Sequence, residues 1–375
     1  MTLRLLHSAD WQIGRVFSQF EPDDAAALFE ARFHAVERLA ALAVEHAVDS
    51  VLVAGDVFDA QTVSDKTIRR LFNAMQGYAG PWVLLPGNHD AALTESVWTR
   101  AHRLGAIPPN VLPCLEPAPR VVAGKFAVLA APLVQRHTYG DLTEVFVTSE
   151  PPADLPRIGL AHGAVQGVLA DDIDSANPIA ADRAATARLD YLALGDWHGC
   201  KRIDERTWYA GTPETDRFKA NDSGQALLVS IESRGATPDV QTLRTGRYRW
   251  HQTEIRLAVP TDLDVALEAL AASGGDDVLQ LRVSGVSDLH GQRRLQQAVD
   301  AARARVRALM YEAQDLRLEP TGEDIAALHA DGYVGEVLRQ LREEQSGPQA
   351  ERAGDALVIL ARMLDELSNR PGVKP

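Results

Sequence analysis

An α/β fold is predicted: a two-sheet sandwich with flanking helices, then a small α/β unit and a helical tail. Three patterns carry it. Near the start, short apolar runs alternate with helical periodicity, which packs helices on the faces of a sheet. From about Val111 onward strand-like runs dominate, enough for a second sheet. Past Pro320 only helical patterns remain.

The elements follow in order. Leu3 to Leu6 is a strand candidate, and Asp23 to His46 a long helix with Leu28, Phe33, Val36, Leu39, Ala40 and Ala43 at helical spacing. Ser50 to Ala54 is a buried strand, Ser64 to Met75 a helix, Trp82 to Leu85 a strand and Thr94 to Leu104 a helix. The strand-like runs VLPCL, VVA and FAVLA come next, then Arg157 to Ala161, Tyr191 to Leu194, Trp208 to Ala210, Ala226 to Ile231 and Val240 to Leu243. The character changes near Arg247. A strand at His251 to Val259, a helix at Asp262 to Ala272, a strand at Val278 to Val283, an Arg-rich helix at Leu289 to Leu309 and a strand at Glu312 to Leu318 read as one small unit. Helices at Asp324 to Glu344 and Ala350 to Leu367 close the chain. The expected domains are 1–249, 250–320 and 321–375.

The 375 residues are ample for a sizeable core, and 46% apolar with 24% charged residues excludes a disordered or fibrous chain. A net charge of −14 argues against a protein that coats DNA through general basicity. Chemistry on DNA at a metal site stays open. Cys114 and Cys200 are the only cysteines, so no disulfide framework is expected, which fits a reducing cytoplasm. MTLRLLHSAD is too short an apolar run for a signal peptide. No uncharged apolar stretch approaches the ~18 residues of a membrane span. The expected location is the cytoplasm.

Five apolar strands end in residues suited to metal binding: Asp10-Trp11-Gln12, Asp56, Asn88-His89-Asp90, His162, and Asp196-Trp197-His198. In open α/β sheets, sites form beyond the carboxyl ends of strands. Asp10 and Gln12, or Asp196 and His198, would face one side if the chain stays extended. Singly, each has a structural reading: Asp56 and Asn88 as turn residues, His162 as a hydrogen-bonded core histidine, Asp196 as a cap. Together they read as a site.

The order DWQ, GDVFD, GNHD, AHG and GDWH resembles the calcineurin-like metallophosphoesterases, and within them the SbcD-type DNA repair nucleases. The resemblance implies two divalent cations, with Asp56 shared. One would take Asp10, Gln12 and His198, the other Asn88, His162 and Asp196. Two cations about 3.5–4 Å apart suit in-line phosphoryl chemistry. His89 would act on a phosphate oxygen or protonate the leaving oxygen, and Asp59 would orient it. The family generally has DxH where Asp10-Trp11-Gln12 stands and GHxH where Gly195-Asp196-Trp197-His198 stands. The implied shell of three carboxylates, two amides and two imidazoles favours Mn²⁺ or Mg²⁺ over Zn²⁺.

The implied function is a metal-dependent DNA phosphodiesterase, the nuclease subunit of an SbcC-like coiled-coil ATPase complex. The alternatives are a small-molecule or cyclic-nucleotide phosphodiesterase or phosphatase, and a metal-free scaffold for an ATPase. No GxxxxGK[ST] loop is present, so ATP hydrolysis would belong to the partner. Basic candidates for DNA contact are Arg217, Lys219, Arg244, Arg247 and Arg249, with Arg293, Arg303 and Arg307 on the later helix. The final helices carry apolar stripes, Ile325, Leu328, Val334, Val337, Leu338 and Leu341, then Leu357, Leu360, Met363, Leu364 and Leu367. The resemblance implies that they dock on the ATPase, and that helices 64–75 and 94–104 form a homodimer.

Overall fold

A computed structural model describes residues 2–168, 177–327 and 332–368. Leu328 of the tail stripe lies outside them. The chain divides into two units, Met1–Arg249 and Trp250–Pro375.

The first unit holds two six-stranded sheets. In the first sheet Leu3–Ser8, Ser50–Ala54, Trp82–Leu85 and Val111–Pro113 run parallel, with His7 opposite Leu52. Gln225–Ile231 joins antiparallel on the other side of Leu3–Ser8, and Asp239–Arg244 follows it. In the second sheet Phe126–Ala131, Arg157–His162, Tyr191–Gly195 and Thr207–Tyr209 run parallel, flanked by the antiparallel Arg120–Val122 and Lys201–Arg202.

The apolar runs are buried on both faces, as parallel strands covered by helices should be. One core, with Leu5, Leu52, Ala54, Val128, Leu160, Tyr191, Ala193 and Val229, draws its residues from both sheets. A second packs the helix Pro22–Glu45 through Phe33, Val36, Leu39 and Ala43 on the first sheet's other face. A third, with Leu129, Phe146, Leu189 and Leu194, covers the second sheet. Helix starts follow local chemistry. Ser64 caps Asp65–Ala74 by accepting from Thr67 N, and Ser96 caps Val97–Arg103 in a capping box with Thr99.

The second unit has a sheet in the order Arg249–Leu257, Asp277–Ser287, Ala308–Glu312, and Leu316–Leu318 also pairs with Asp277–Ser287. Pro260–Ala272 and Leu289–Arg303 pack on it through Ala266, Leu270, Leu295 and Val299. Within the same unit Ala361, from the helix Ala350–Ser368, packs with Leu289 and Leu318.

Three expectations are corrected. Val111–Pro113, Gln225–Ile231 and Asp239–Arg244 belong to the first sheet rather than the second. The Arg-rich helix stops at Arg303, and Ala308–Glu312 is a strand. Its residues pair in register with Val278–Arg282, so sheet pairing overrides the helical spacing. The tail helix expected over 324–344 is described as Gly322–Ala327 and Gly332–Glu344.

Candidate metal centre

The strand Leu3–Ser8 ends two residues before Asp10. There the chain leaves the extended conformation. Asp10 has φ +52° and Gln12 φ +49°, while Asp56 has +51° and Asp196 +102°. The expectation of extended i, i+2 pairs is therefore corrected for both Asp10/Gln12 and Asp196/His198. Left-handed backbone costs a non-glycine residue on the order of 1 kcal/mol or more and clusters at functional sites. Here it turns two loops over the strand ends. They run side by side, with Asp10 N donating to Gly55 O at 3.0 Å and Gln12 N to Asp56 O at 2.9 Å. At Gly195 a Cβ would lie 1.9 Å from Ala54 O and 2.9 Å from His162 Nδ1. Only glycine lets the second sheet approach so closely.

These loops bring six of the seven predicted ligands into direct contact. Asn88 Oδ1 lies 3.0 Å from His162 Nε2 and 3.1 Å from each Asp56 carboxylate oxygen. His162 Nε2 is 3.5 Å from Asp56 Oδ1 and 3.7 Å from Asp196 Oδ1. Gln12 Nε2 donates to Asp56 Oδ2 at 2.7 Å, and Asp196 N donates to Asp10 Oδ1 at 3.1 Å. Ligand atoms of Asp10, Asp56 and His162 all lie within 4.8 Å of one another. The seventh, His198, is buried beside them, close enough for its charge to act on Asp10.

A further layer fixes the orientations. His162 Nδ1 lies 2.8 Å from Ala54 O, which turns Nε2 towards the acids. His198 Nδ1 meets Asp216 Oδ2 at 2.9 Å. His89 N donates to Asp56 Oδ1 at 2.9 Å, and His89 Nδ1 lies 2.7 Å from the main-chain oxygen of Asp59. The expected Asp59–His89 contact is thus made through the Asp59 main-chain carbonyl. Asp90 accepts from Gly87 N at 2.7 Å and Phe58 N at 3.1 Å, tying the two loops together. Arg32, buried on the helix Pro22–Glu45, donates to Asp10 O, Trp11 O, Glu214 O and Thr212 Oγ1.

Asp216 and Arg32 were not singled out by sequence reading. Neither belongs to a strand-end motif, and an arginine on a long helix ordinarily faces water. The signal available was position: Arg32 interrupts the apolar face between Ala31 and Phe33.

The electrostatics ask for a cation. Burial first, then Asp56 and Asp196, push Asp10 up to about 6, against the pull of His198 and His162. Burial alone would lower His162, but Asp56, Asp10 and Asp196 hold it at about 9. Burial likewise raises Asp90 to about 8. Gln12 Oε1 is buried with no hydrogen-bond partner among the described residues. Asn88 Oδ1 faces only acceptors; turned over, its amide nitrogen would donate to both Asp56 oxygens and to His162. Gathered acceptors and an orphaned amide oxygen fit a divalent ion held largely by oxygen.

Of the basic candidates, Arg217 touches the centre. Its guanidinium bonds Asp216 and lies 2.8 Å from His198 Nδ1. Lys219 Nζ stands 4.5 Å from the Trp197 ring centroid. Arg244, Arg247 and Arg249 are exposed near the end of the first unit, far from the ligands in sequence. There Arg247 N and Tyr248 N donate to Glu214, whose burial raises it to about 7. On the later helix, Arg303 pairs with its neighbour Asp300.

Among the described residues no helix is long and apolar enough to cross a membrane. The SbcD component of nuclease SbcCD from Rhodobacter capsulatus is 38% identical over 95 residues, 24% of this chain and 22% of that protein. The DNA double-strand break repair protein Mre11 of Methanosarcina acetivorans is 22% identical over 66% of this chain and 39% of its own length. The SbcD component of nuclease SbcCD from Escherichia coli K12 is 27% identical over 64% of this chain and 68% of its own. The chain thus spans 22% and 39% of the first two relatives. The model of the calcineurin-like phosphoesterases matches residues 3–200, more than half of the sequence and the span that holds all seven predicted ligand positions. By that match, this chain belongs to the calcineurin-like phosphoesterase family, whose members work with divalent metal ions.

Proposed function

We propose that the chain is a divalent-metal-dependent DNA phosphodiesterase, the nuclease subunit of an assembly with an SbcC-like coiled-coil ATPase. The convergence of Asp10, Gln12, Asp56, Asn88, His162 and Asp196 at the strand ends carries the reading. The likeness to the SbcD component of nuclease SbcCD supports the substrate and the partner.

Asp10, Gln12 and His198 would hold one cation, Asn88, His162 and Asp196 the other, and Asp56 both. Mn²⁺ suits these donors best, with Mg²⁺ second. When bound, the ions supply Lewis-acid charge for in-line displacement at phosphorus. The chain's own groups do the rest. Ala54 O and Asp216 set the ring orientations of His162 and His198. Asp59 O anchors His89 Nδ1, leaving Nε2 on the cleft side, 3.9 Å from Asp56 Oδ2. From there Nε2 can pass a proton to the leaving oxygen. Arg217 and Lys219 would draw the phosphate backbone to the same edge.

The tail helices would dock on the ATPase, helices Asp65–Ala74 and Val97–Arg103 would form a homodimer, and the protein would act in the cytoplasm. The test compares Mn²⁺, Mg²⁺ and chelator on linear DNA, circular DNA and a small phosphodiester. Mn²⁺-dependent DNA cleavage is expected. Hydrolysis of the small diester with no cleavage of any DNA would replace the nuclease reading with a small-molecule phosphodiesterase. Truncation at Glu323 should abolish ATPase binding but spare small-diester hydrolysis, and light scattering should show a dimer.

A further inference from the structure

We infer that Trp197, Lys201 and Lys219 form a phosphate-binding shelf beside the metal centre, which takes the backbone phosphate next to the one being cleaved. The inference rests on the nuclease reading and says where the strand lies. Trp197 stands between Asp196 and His198, so its ring is carried by the same loop as two proposed ligands. It is half-buried and packs against the core that contains Leu129, Ala131 and Leu194. Two ammonium groups gather on the ring, Lys219 Nζ at 4.5 Å and Lys201 Nζ at 5.8 Å from its centroid. The electron-rich indole face attracts such cations and fixes where long, mobile side chains put their charge. Trp197 is therefore a positioning residue, and the lysines make the contact.

The surroundings separate these lysines from the other basic groups at the edge. Arg15 and Arg217 are both engaged by Asp216, at 3.0 Å each. Lys201 Nζ donates to Val168 O, at 3.3 Å, and among the described residues neither lysine pairs with a carboxylate. In a chain of net charge −14, two cations gathered on one indole ring with no carboxylate partner among the described residues are set for an anion. Lysine serves phosphate as a compact point charge. The loops that carry them are locked together. A Cβ on Gly199 would lie 2.0 Å from Asn221 O and 2.8 Å from Trp197 Nε1, so the two backbones pack directly. Lys219 N donates to Arg217 O at 3.0 Å in a tight turn that holds Lys219 beside Arg217.

A strand of nucleic acid offers a second phosphate to this shelf, whereas a small phosphodiester has none. The test measures binding of a labelled DNA duplex with Mn²⁺ across a salt series, in a His89→Asn background that slows turnover. Lys219→Gln and Lys201→Gln should each lower the slope of log Kd against log salt by about 1. Trp197→Leu should weaken binding about three- to tenfold, and Trp197→Phe, which keeps an aromatic face, should restore most of it. The lysine substitutions decide the matter, because they leave the 196–198 backbone untouched. An unchanged salt slope in both lysine variants overturns the shelf while leaving the nuclease intact. If the His89→Asn parent binds no DNA and the unsubstituted chain cleaves none, the nuclease reading fails and the shelf with it.

Discussion

His198 Nδ1 lies 2.9 Å from Asp216 Oδ2, and that carboxylate, almost wholly buried, also receives Arg15 and Arg217. Burial would raise Asp216, but His198, Arg217 and Arg32 hold it well below the usual carboxylate range. It is a fixed anion that sets one histidine ring. Asp216→Asn should weaken Mn²⁺ binding about tenfold to a hundredfold. Titration calorimetry on the purified chain measures this, and unchanged affinity would remove Asp216 from the centre.

His89 is held at both ends, by its N–H on Asp56 and its Nδ1 against Asp59 O. Its imidazole is expected to handle a proton rather than hold metal. His89→Asn should therefore keep both ions while DNA cleavage falls roughly 10²-fold or more. Metal analysis and single-turnover cleavage check the two halves separately. Full cleavage by the variant would sink the role.

The two atypical proposed ligands should behave differently. Asp196 Oδ1 faces His162 Nε2 at 3.7 Å, so Asp196→Ala should lose the ion shared with Asn88 and His162. Gln12 offers only a neutral oxygen, without a partner among the described residues. Gln12→Ala should weaken the other ion about tenfold, and Gln12→His should keep activity. In the unsubstituted chain, Mn²⁺ at about a hundred times its Kd should add about 2.7 kcal/mol of stability. Anomalous scattering and melting curves read these out. Absence of any ion in Mn²⁺-soaked crystals would favour the scaffold alternative.

Glu214 gives a pH signature apart from the ligands. Its folded value of about 7 exceeds the ordinary glutamate value because it is buried, although Arg247 N and Tyr248 N favour the charged form. The folded state thus binds a proton that the unfolded chain has released. Its contribution is fully present below about pH 4.5 and is lost as pH rises towards 7, by about 3 kcal/mol in all. Glu214→Gln should flatten that part of the profile. Denaturant melts of both proteins in chelator, taken as a difference, isolate it from the titration of Asp10. Parallel profiles would show that Glu214 does not titrate in this window.

Local pattern determined a great deal. Apolar runs of strand length, each closed by Asp10, Asp56, Asn88, His162 or Asp196, require only neighbouring residues to be read. The helices at Asp65–Ala74 and Val97–Arg103 were likewise legible from helical spacing, within one to three residues at each end. Periodicity, however, reports that a face is buried, not what buries it. Gln225–Ile231 looks the same whether it joins either sheet, and only the return of the chain to Leu3–Ser8 placed it in the first. The left-handed turns at Asp10, Gln12 and Asp196 were equally out of reach, because sequence near a strand end does not specify where the chain must bend. Asp216, Arg32 and the Asp59 carbonyl depended on tertiary structure most of all. Each acts on a group 18 to 30 residues away in the chain. A hydrogen bond of that kind is chosen by which loops the two sheets bring together, and no spacing rule encodes it.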